Sequence, residues 1–156
     1  MRVLAIDPGY DRLGIAVLEK TKGKEKLFYS ACLKTDKSEP QSERLLKLGK
    51  ELEATLDKYR PECVALETLF FNQNRSTAIK VAEVRGLIIY LARKYECEVR
   101  EFGPQEVKVA VTGYGKSDKR AVFEMIKRLI PEVPEQGLDD EYDAIAIGIT
   151  CLAQWR

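Results

Sequence analysis

Histidine is absent from this sequence of 156 residues. Its absence excludes catalytic sites that need an imidazole, such as Ser/His/Asp triads and Cys/His pairs, and it excludes histidine-containing zinc sites. Acid–base or metal chemistry must therefore depend on carboxylates and lysines.

Cysteine is scarce and widely spaced. The chain has four cysteines and no C-x-x-C pair. A free cysteine behaves as a small hydrophobe, so we expect four buried, reduced thiols. They are Cys32, Cys63, Cys97 and Cys151.

Long uncharged hydrophobic runs are also missing. None approaches the ~20 residues that a membrane span requires, which excludes a transmembrane protein. The first residues, 1–7, enter a predicted core strand and lack the features of a signal peptide, so we expect a cytoplasmic protein. A net charge of +1 and an apolar fraction of 45% are typical of one domain, spanning residues 1–156.

What is present is a regular succession of apolar segments. Five of them predict strands: Val3–Ile6, Leu13–Leu18, Lys26–Leu33, Cys63–Glu67 and Glu98–Glu101. Helices are predicted between Pro40 and Pro61, from about Ser76 to Tyr95, from Gly103-Pro104, from an N-cap at Ser117 to Pro131, and from the Asp139–Asp143 region to Leu152. Three strands in a meander followed by alternating helices and strands predict an α/β fold, a five-stranded mixed sheet flanked by helices.

Four acidic residues lie at the ends of apolar elements. Asp7 and Glu67 end the first and fourth strands, on the same strand faces as core residues, and Asp140 and Asp143 share one face at the start of the last helix. Asp7 also suits a turn before Pro8-Gly9, with about even odds, and capping is the favoured role for Asp139 or Asp140 taken alone. No turn or cap explains Glu67.

Converging carboxylates repel one another unless a positive charge lies between them. Hard oxygen ligands, without histidine or paired cysteines, favour Mg²⁺ or Mn²⁺. Two such ions about 4 Å apart can hold a scissile phosphate and lower the pKa of the attacking water. The acids therefore predict hydrolysis of a phosphodiester.

Six segments along nearly the whole chain form an ordered set of motifs. They are Ala5–Gly9, Ala65–Phe70, Asn74–Lys80 with Arg85-Gly86, Pro104–Lys108, Gly113–Lys119 and Asp140–Gly148. In order and approximate spacing, this set resembles the RuvC Holliday-junction resolvases. The resemblance implies an RNase H-like fold, a homodimer, and Mg²⁺-dependent endonuclease action that nicks two strands of a four-way DNA junction symmetrically, in DNA recombination and repair. RuvA and RuvB are implied as partners.

The same resemblance assigns roles to individual residues. Asp7, Glu67, Asp140 and Asp143 match the family's four catalytic, metal-binding acids. Lys108 and Lys119 match basic residues near the active site, and Phe70 matches an aromatic residue associated with the junction centre.

Charge is distributed unevenly along the chain. Residues 72–94 sum to +4 and residues 105–128 to +3, whereas residues 131–143 contain six acids and no base. Basic segments beside an acidic one are typical of a surface that binds DNA phosphates next to a metal site. We expect phosphate contacts from Arg75, Lys80, Lys108, Lys116 and Lys119.

Phe70 and Phe71 point to opposite faces by alternation, so one is expected in the core and the other free to stack on a base. The residues alone leave the choice even, and the resemblance favours Phe70 as the exposed one.

Three other functions remain open. They are a nuclease of the same fold acting on RNA–DNA hybrids or another branched substrate, a non-catalytic junction-binding protein, and a nucleotide-hydrolysing or sugar-kinase-like domain. The chain is short for the last of these and shows no second Gly-rich phosphate loop.

Overall fold

The structure, a computed structural model, describes residues 1–68 and 75–155, apart from the side chains of residues 75 and 76. Its sheet has five strands in the order β3-β2-β1-β4-β5. The strands are β1 (Arg2–Asp7), β2 (Arg12–Thr21), β3 (Lys24–Lys34), β4 (Cys63–Glu67) and β5 (Glu98–Phe102), and the helices are α1 (Gln41–Tyr59), α2 (Arg75–Lys94), α3 (Pro104–Thr112), α4 (Lys119–Leu129) and α5 (Asp139–Gln154).

The sheet is mixed. Strands β1, β2 and β3 pair antiparallel, and β4 pairs parallel with both β1 and β5. The predicted α/β fold with a five-stranded mixed sheet flanked by helices is confirmed. The β2–β3 connection is tighter than predicted, because Lys22 and Gly23 both adopt positive φ and close a two-residue turn.

Each face of the sheet carries its own apolar core. One core joins alternate strand residues such as Leu4 and Ile6 to α1 and α2, and the other joins Val3 and Ala5 to α3, α4 and α5. Alternation along β1 therefore places Asp7 on the α5 face. Every residue of α5 from Ala144 to Leu152 is buried, as its apolar sequence predicted.

Two predicted helix caps are wrong. The cap of α4 is Asp118, whose carboxylate accepts a hydrogen bond from the Ala121 amide at 2.8 Å, while the Ser117 hydroxyl bonds to Thr112 instead. At α5 the N-cap position is Leu138, so neither aspartate that follows is a cap. Helix capping therefore does not explain why an aspartate lies at position 140.

The cysteines are all unpaired, and three are buried as predicted, whereas Cys32 is partly exposed. None of the helices within residues 1–68 and 75–155 combines the length and the apolarity needed to cross a lipid bilayer.

Candidate active site

Asp7 occupies the centre of a group of acids. It ends β1, pairs with Gly14 on β2, and its carboxylate is mostly enclosed by the fold. Burial is the largest cause that raises the pKa of Asp7 to about 7. The negative charges of Asp143, Glu67 and Asp140 act in the same direction, whereas the ammonium group of Lys119 lowers this pKa. The charges of all three acids therefore act on the Asp7 carboxyl group.

Glu67 reaches the same edge of the sheet from the neighbouring strand. Because β1 and β4 run parallel, their carboxyl ends lie side by side, and the last residue of β4 comes next to the last residue of β1. Alternation with Cys63 and Ala65 places Glu67 on the α5 face. Burial, and then the charge of Asp143, raises the pKa of Glu67.

The first turn of α5 brings the other two acids to this edge. The approach depends on Gly14, because a Cβ atom placed on this residue would lie 1.8 Å from the backbone oxygen of Asp140. Any side chain here would push the start of α5 away from Asp7. No pattern in the sequence singled out Gly14, although a glycine inside a strand can mark a close backbone approach.

Asp140 and Asp143 contact different cations. Asp140 lies toward β2, where its Oδ2 is 3.3 Å from Arg12 Nε. Asp143 lies toward α4, with its Oδ2 3.4 Å from Lys119 Nζ. Burial raises the pKa of Asp143, and the charge and hydrogen bond of Lys119 oppose this shift.

A cleft of about 320 Å³ opens beside these acids, between α3, α4, α5 and the end of β4. Both predicted lysines line it, Lys108 from α3 and Lys119 from α4, together with Glu67 and Asp143. The charge of Asp143 is the main cause that raises the pKa of Lys119. Apolar side chains complete the lining: Val107, Val122, Ala146 and Ile147, with Pro104.

The donors at this site fit a hard divalent cation. All four acids offer only carboxylate oxygens, and the buried Asp7 carries a raised pKa that a nearby positive charge would lower. Within residues 1–68 and 75–155 no three acidic or thiol side chains are arranged to hold a metal ion. Arg12 pairs with Asp140 and Lys119 with Asp143, so a bound cation would compete with these two side chains for the carboxylates.

Of the other predicted DNA contacts, the structure describes the side chains of Lys80 and Lys116, and neither lines the cleft. Phe70, like Phe71, falls outside the described residues, and so does the side chain of Arg75, the first residue of α2. Lys80 places its Nζ 5.1 Å from the centre of the Tyr10 ring, and Lys116 is exposed in the loop after α3.

Comparison with known proteins identifies the same relatives over nearly the full length. The family model described as "Crossover junction endodeoxyribonuclease RuvC" matches residues 3–151. The protein of that name from Desulforamulus reducens is 40% identical, over 99% of this chain and 94% of its own length. The one from Rickettsia bellii is 39% identical, over 97% of both chains.

One solved structure also has a fold closely similar to that of this chain. It is Thermus thermophilus RuvC in complex with a Holliday junction substrate, which superposes with a TM-score of 0.91 and 31% identity over 97% of this chain and 93% of that one.

Proposed function

Because this chain belongs to the RuvC family of crossover junction endodeoxyribonucleases, we propose that it resolves four-way DNA junctions by paired, symmetric nicks. Residues 1–156 then form a single nuclease domain that acts in homologous recombination and DNA repair, in the cytoplasm. The observation that carries the proposal is the group of four acids that Asp7 forms with Glu67, Asp140 and Asp143, in a chain whose family match extends from residue 3 to residue 151.

RuvC nucleases depend on a metal, and Asp7, Glu67, Asp140 and Asp143 are the residues that would hold it here. Their oxygen donors suit Mg²⁺, with Mn²⁺ as a substitute, and we propose two ions per site. Bound ions of this kind lower the pKa of the attacking water and stabilise the leaving oxygen of the phosphodiester.

The two lysines of the cleft act on the phosphate. Lys119 has a side chain that is 74% exposed, so its ammonium group can turn from Asp143 toward a phosphate oxygen. Lys108 lines the same cleft from the other side. Both offer a flexible positive charge to the negative charge that develops during hydrolysis.

Residues outside the cleft are proposed to bind the arms and centre of the junction. Arg75, Lys80 and Lys116 would contact phosphates, and Phe70 would stack on a base at the junction centre. Lys80 is half-buried beside Tyr10, so its contact with DNA requires it to leave that ring. Association with RuvA and RuvB is proposed from family membership.

We also propose a homodimer, since a junction with two-fold symmetry is cut by two equivalent subunits in a C2 pair. The exposed side of α2 supports a contact between copies. Ile79 and Tyr90 are separated by about three helical turns, and each is 63% exposed. Both residues lie on the same side of α2, and we propose that the two copies meet there.

Sedimentation tests the dimer. Ile79→Glu is expected to shift the protein from dimer to monomer and to uncouple the paired nicks. Leu46→Glu is the control, because Leu46 is an exposed apolar residue of α1 and should leave the dimer intact. A wild-type monomer at working concentration would contradict the proposal.

Incubation of a mobile four-way junction with the purified protein tests the activity. Paired symmetric nicks are expected with Mg²⁺ and not without it. Asp7→Asn should abolish nicking and keep junction binding measurable, and retained cleavage would remove Asp7 from the mechanism.

A matched RNA–DNA hybrid and a linear duplex are the comparison substrates. Preferential cleavage of the hybrid would indicate a different nuclease, and binding without nicking in Mg²⁺ or Mn²⁺ would indicate a non-catalytic junction-binding protein.

A further inference from the structure

Arg85 of α2 reaches across to the end of β4. Its Nη1 donates a hydrogen bond to the backbone carbonyl of Glu67 at 3.0 Å. The same guanidinium forms an ion pair with Glu101 of β5. One side chain thus joins α2 to two adjacent strands at the edge of the sheet that carries the acids.

The backbone at Glu67 has less support from the sheet than the rest of β4. Pairing with β1 ends one residue earlier, at Ile6 with Leu66. Pairing with β5 continues, through Glu67 with Phe102 and through a hydrogen bond from the Thr68 amide to the Phe102 carbonyl at 2.9 Å. Arg85 donates a hydrogen bond to the Glu67 carbonyl at the point where the pairing of β4 with β1 has ended.

Arg85 is placed to hold this backbone rather than to bind DNA. Its side chain is only 14% exposed, and its guanidinium is already engaged by a carbonyl and a carboxylate. α2 packs on the face of the sheet opposite α5, whereas the Glu67 side chain is on the α5 face. Arg85 therefore acts on Glu67 through the main chain.

We propose that Arg85 is a positioning residue for the nuclease reaction: it fixes the carboxyl end of β4 so that the Glu67 carboxylate enters the cleft beside Asp7 and Asp143. The inference rests on the proposed function, because it assigns Glu67 to the catalytic acids. An error of about 1 Å in the position of a catalytic group can reduce a rate about 100-fold.

Arg85→Gln tests the role, since it removes the charge and shortens the side chain. Under single-turnover conditions we expect the nicking rate to fall about 10- to 100-fold. The Kd for the junction, measured in Ca²⁺, should stay within about twofold, because the guanidinium of Arg85 is engaged within the fold and makes no contact with DNA in this proposal. Arg85→Lys retains a positive donor and should recover part of the lost rate.

Two further variants separate positioning from general damage to the fold. Arg93→Gln is the matched control, because Arg93 belongs to the same helix and also donates to a backbone carbonyl, that of Cys97 at 3.0 Å. It should keep the wild-type rate. Glu101→Gln removes the ion pair but leaves the bond from Arg85 to the Glu67 carbonyl, so its loss should be smaller than that of Arg85→Gln.

A Mn²⁺ titration by calorimetry gives a readout besides activity. Arg85→Gln should bind the ion more weakly than the wild type does, and Arg93→Gln should not.

If Arg85→Gln fails to fold, Arg85→Lys and Glu101→Gln carry the same comparison. The inference is overturned if Arg85→Gln nicks at the wild-type rate, if it weakens junction binding without slowing nicking, or if Arg93→Gln loses as much activity. Failure of the wild type to nick a junction would overturn the proposed function instead.

Discussion

Glycines on the two sides of the sheet have different surroundings. Where α5 packs on the sheet, Cβ atoms placed on Gly14 and Gly148 would lie 1.8 Å from the Asp140 backbone oxygen and 2.3 Å from Leu18 Cδ1. On the other side, where α1 packs on α2, a Cβ atom placed on Gly49 would lie 3.5 Å from Leu87 Cδ2, an ordinary van der Waals contact. Helix α5 therefore packs on the sheet at backbone contact, whereas the contact between α1 and α2 has room for a methyl group.

The difference shows what close packing accomplishes on the α5 face. It brings the first turn of α5 over the end of β1, and so places acidic side chains beside the buried carboxylate of Asp7 despite their mutual repulsion. The α1 and α2 face provides an apolar core, and its main polar contribution to the site is the guanidinium of Arg85. One face carries the acids, and the other holds the strand beneath them.

Gly14→Ala should have the largest effect. The added methyl group collides with the backbone of Asp140, so the start of α5 must shift, and we expect nicking to fall by about 100-fold or more. Strand β2 is paired on both sides at this position, and the variant should therefore still fold and bind a junction.

Gly49→Ala is the control for that comparison and should nick at the wild-type rate. Single-turnover cleavage and junction binding measure both variants. Normal cleavage by Gly14→Ala would mean that the close approach at Asp140 is not needed for activity.

The stability of the metal-free protein should depend on pH through Asp7. The pKa of Asp7 is about 7 in the folded chain, against 3.8 for an ordinary aspartate, so between these values the folded state holds a proton that the unfolded state has released. The free energy of unfolding therefore decreases as the pH rises from about 4 to 7, and the loss is complete above pH 7. Since one pKa unit corresponds to about 1.4 kcal/mol and the shift is about three units, we expect a loss of about 4 kcal/mol.

Asp7→Asn should remove this part of the pH dependence and be more stable than the wild type at pH 8. Urea unfolding at pH 5 and pH 8 in a chelator measures it. Asp57→Asn is the control, since Asp57 is an exposed partner of Arg60 and its loss should change stability by less than about 1 kcal/mol. Equal pH dependence in the wild type and Asp7→Asn would show that ionised Asp7 carries no burial cost.

The smallest effects should come from the two glycines inside helices. Gly148→Ala forces a methyl group against Leu18 and Ala5 and should destabilise the fold by about 1–3 kcal/mol. Gly49→Ala has space for its methyl group and should stabilise by about 0.5–1 kcal/mol, because alanine is the better helix former. Thermal unfolding distinguishes them, and shifts of the same sign would contradict the difference between the α5–sheet contact and the α1–α2 contact.

Local patterns predicted most of the elements. The predicted bounds of the strand Cys63–Glu67 match the observed ones, and the predicted bounds of α2 differ from the observed ones by one residue at each end. The β2–β3 turn is shorter than predicted, and two helix caps were predicted wrongly. Ser117 and Asp118, for example, are both good caps by residue type, and only the path of the chain decides between them. Gly14 was not singled out, and Arg85 was named only within a matching segment and given no role, because both roles depend on atoms of Asp140 and Glu67 that are distant in sequence.

The amino-acid sequence alone determined the period of each apolar segment, the supply of carboxylates and the lack of imidazole, since these are properties of residue type and spacing. Only the tertiary structure decided that Asp7 would be buried among other acids, that Arg12 and Lys119 would take separate aspartates, and that Arg85 would reach the carbonyl of Glu67. Distances between elements depend on how closely their backbones can approach, and no local pattern contains that information.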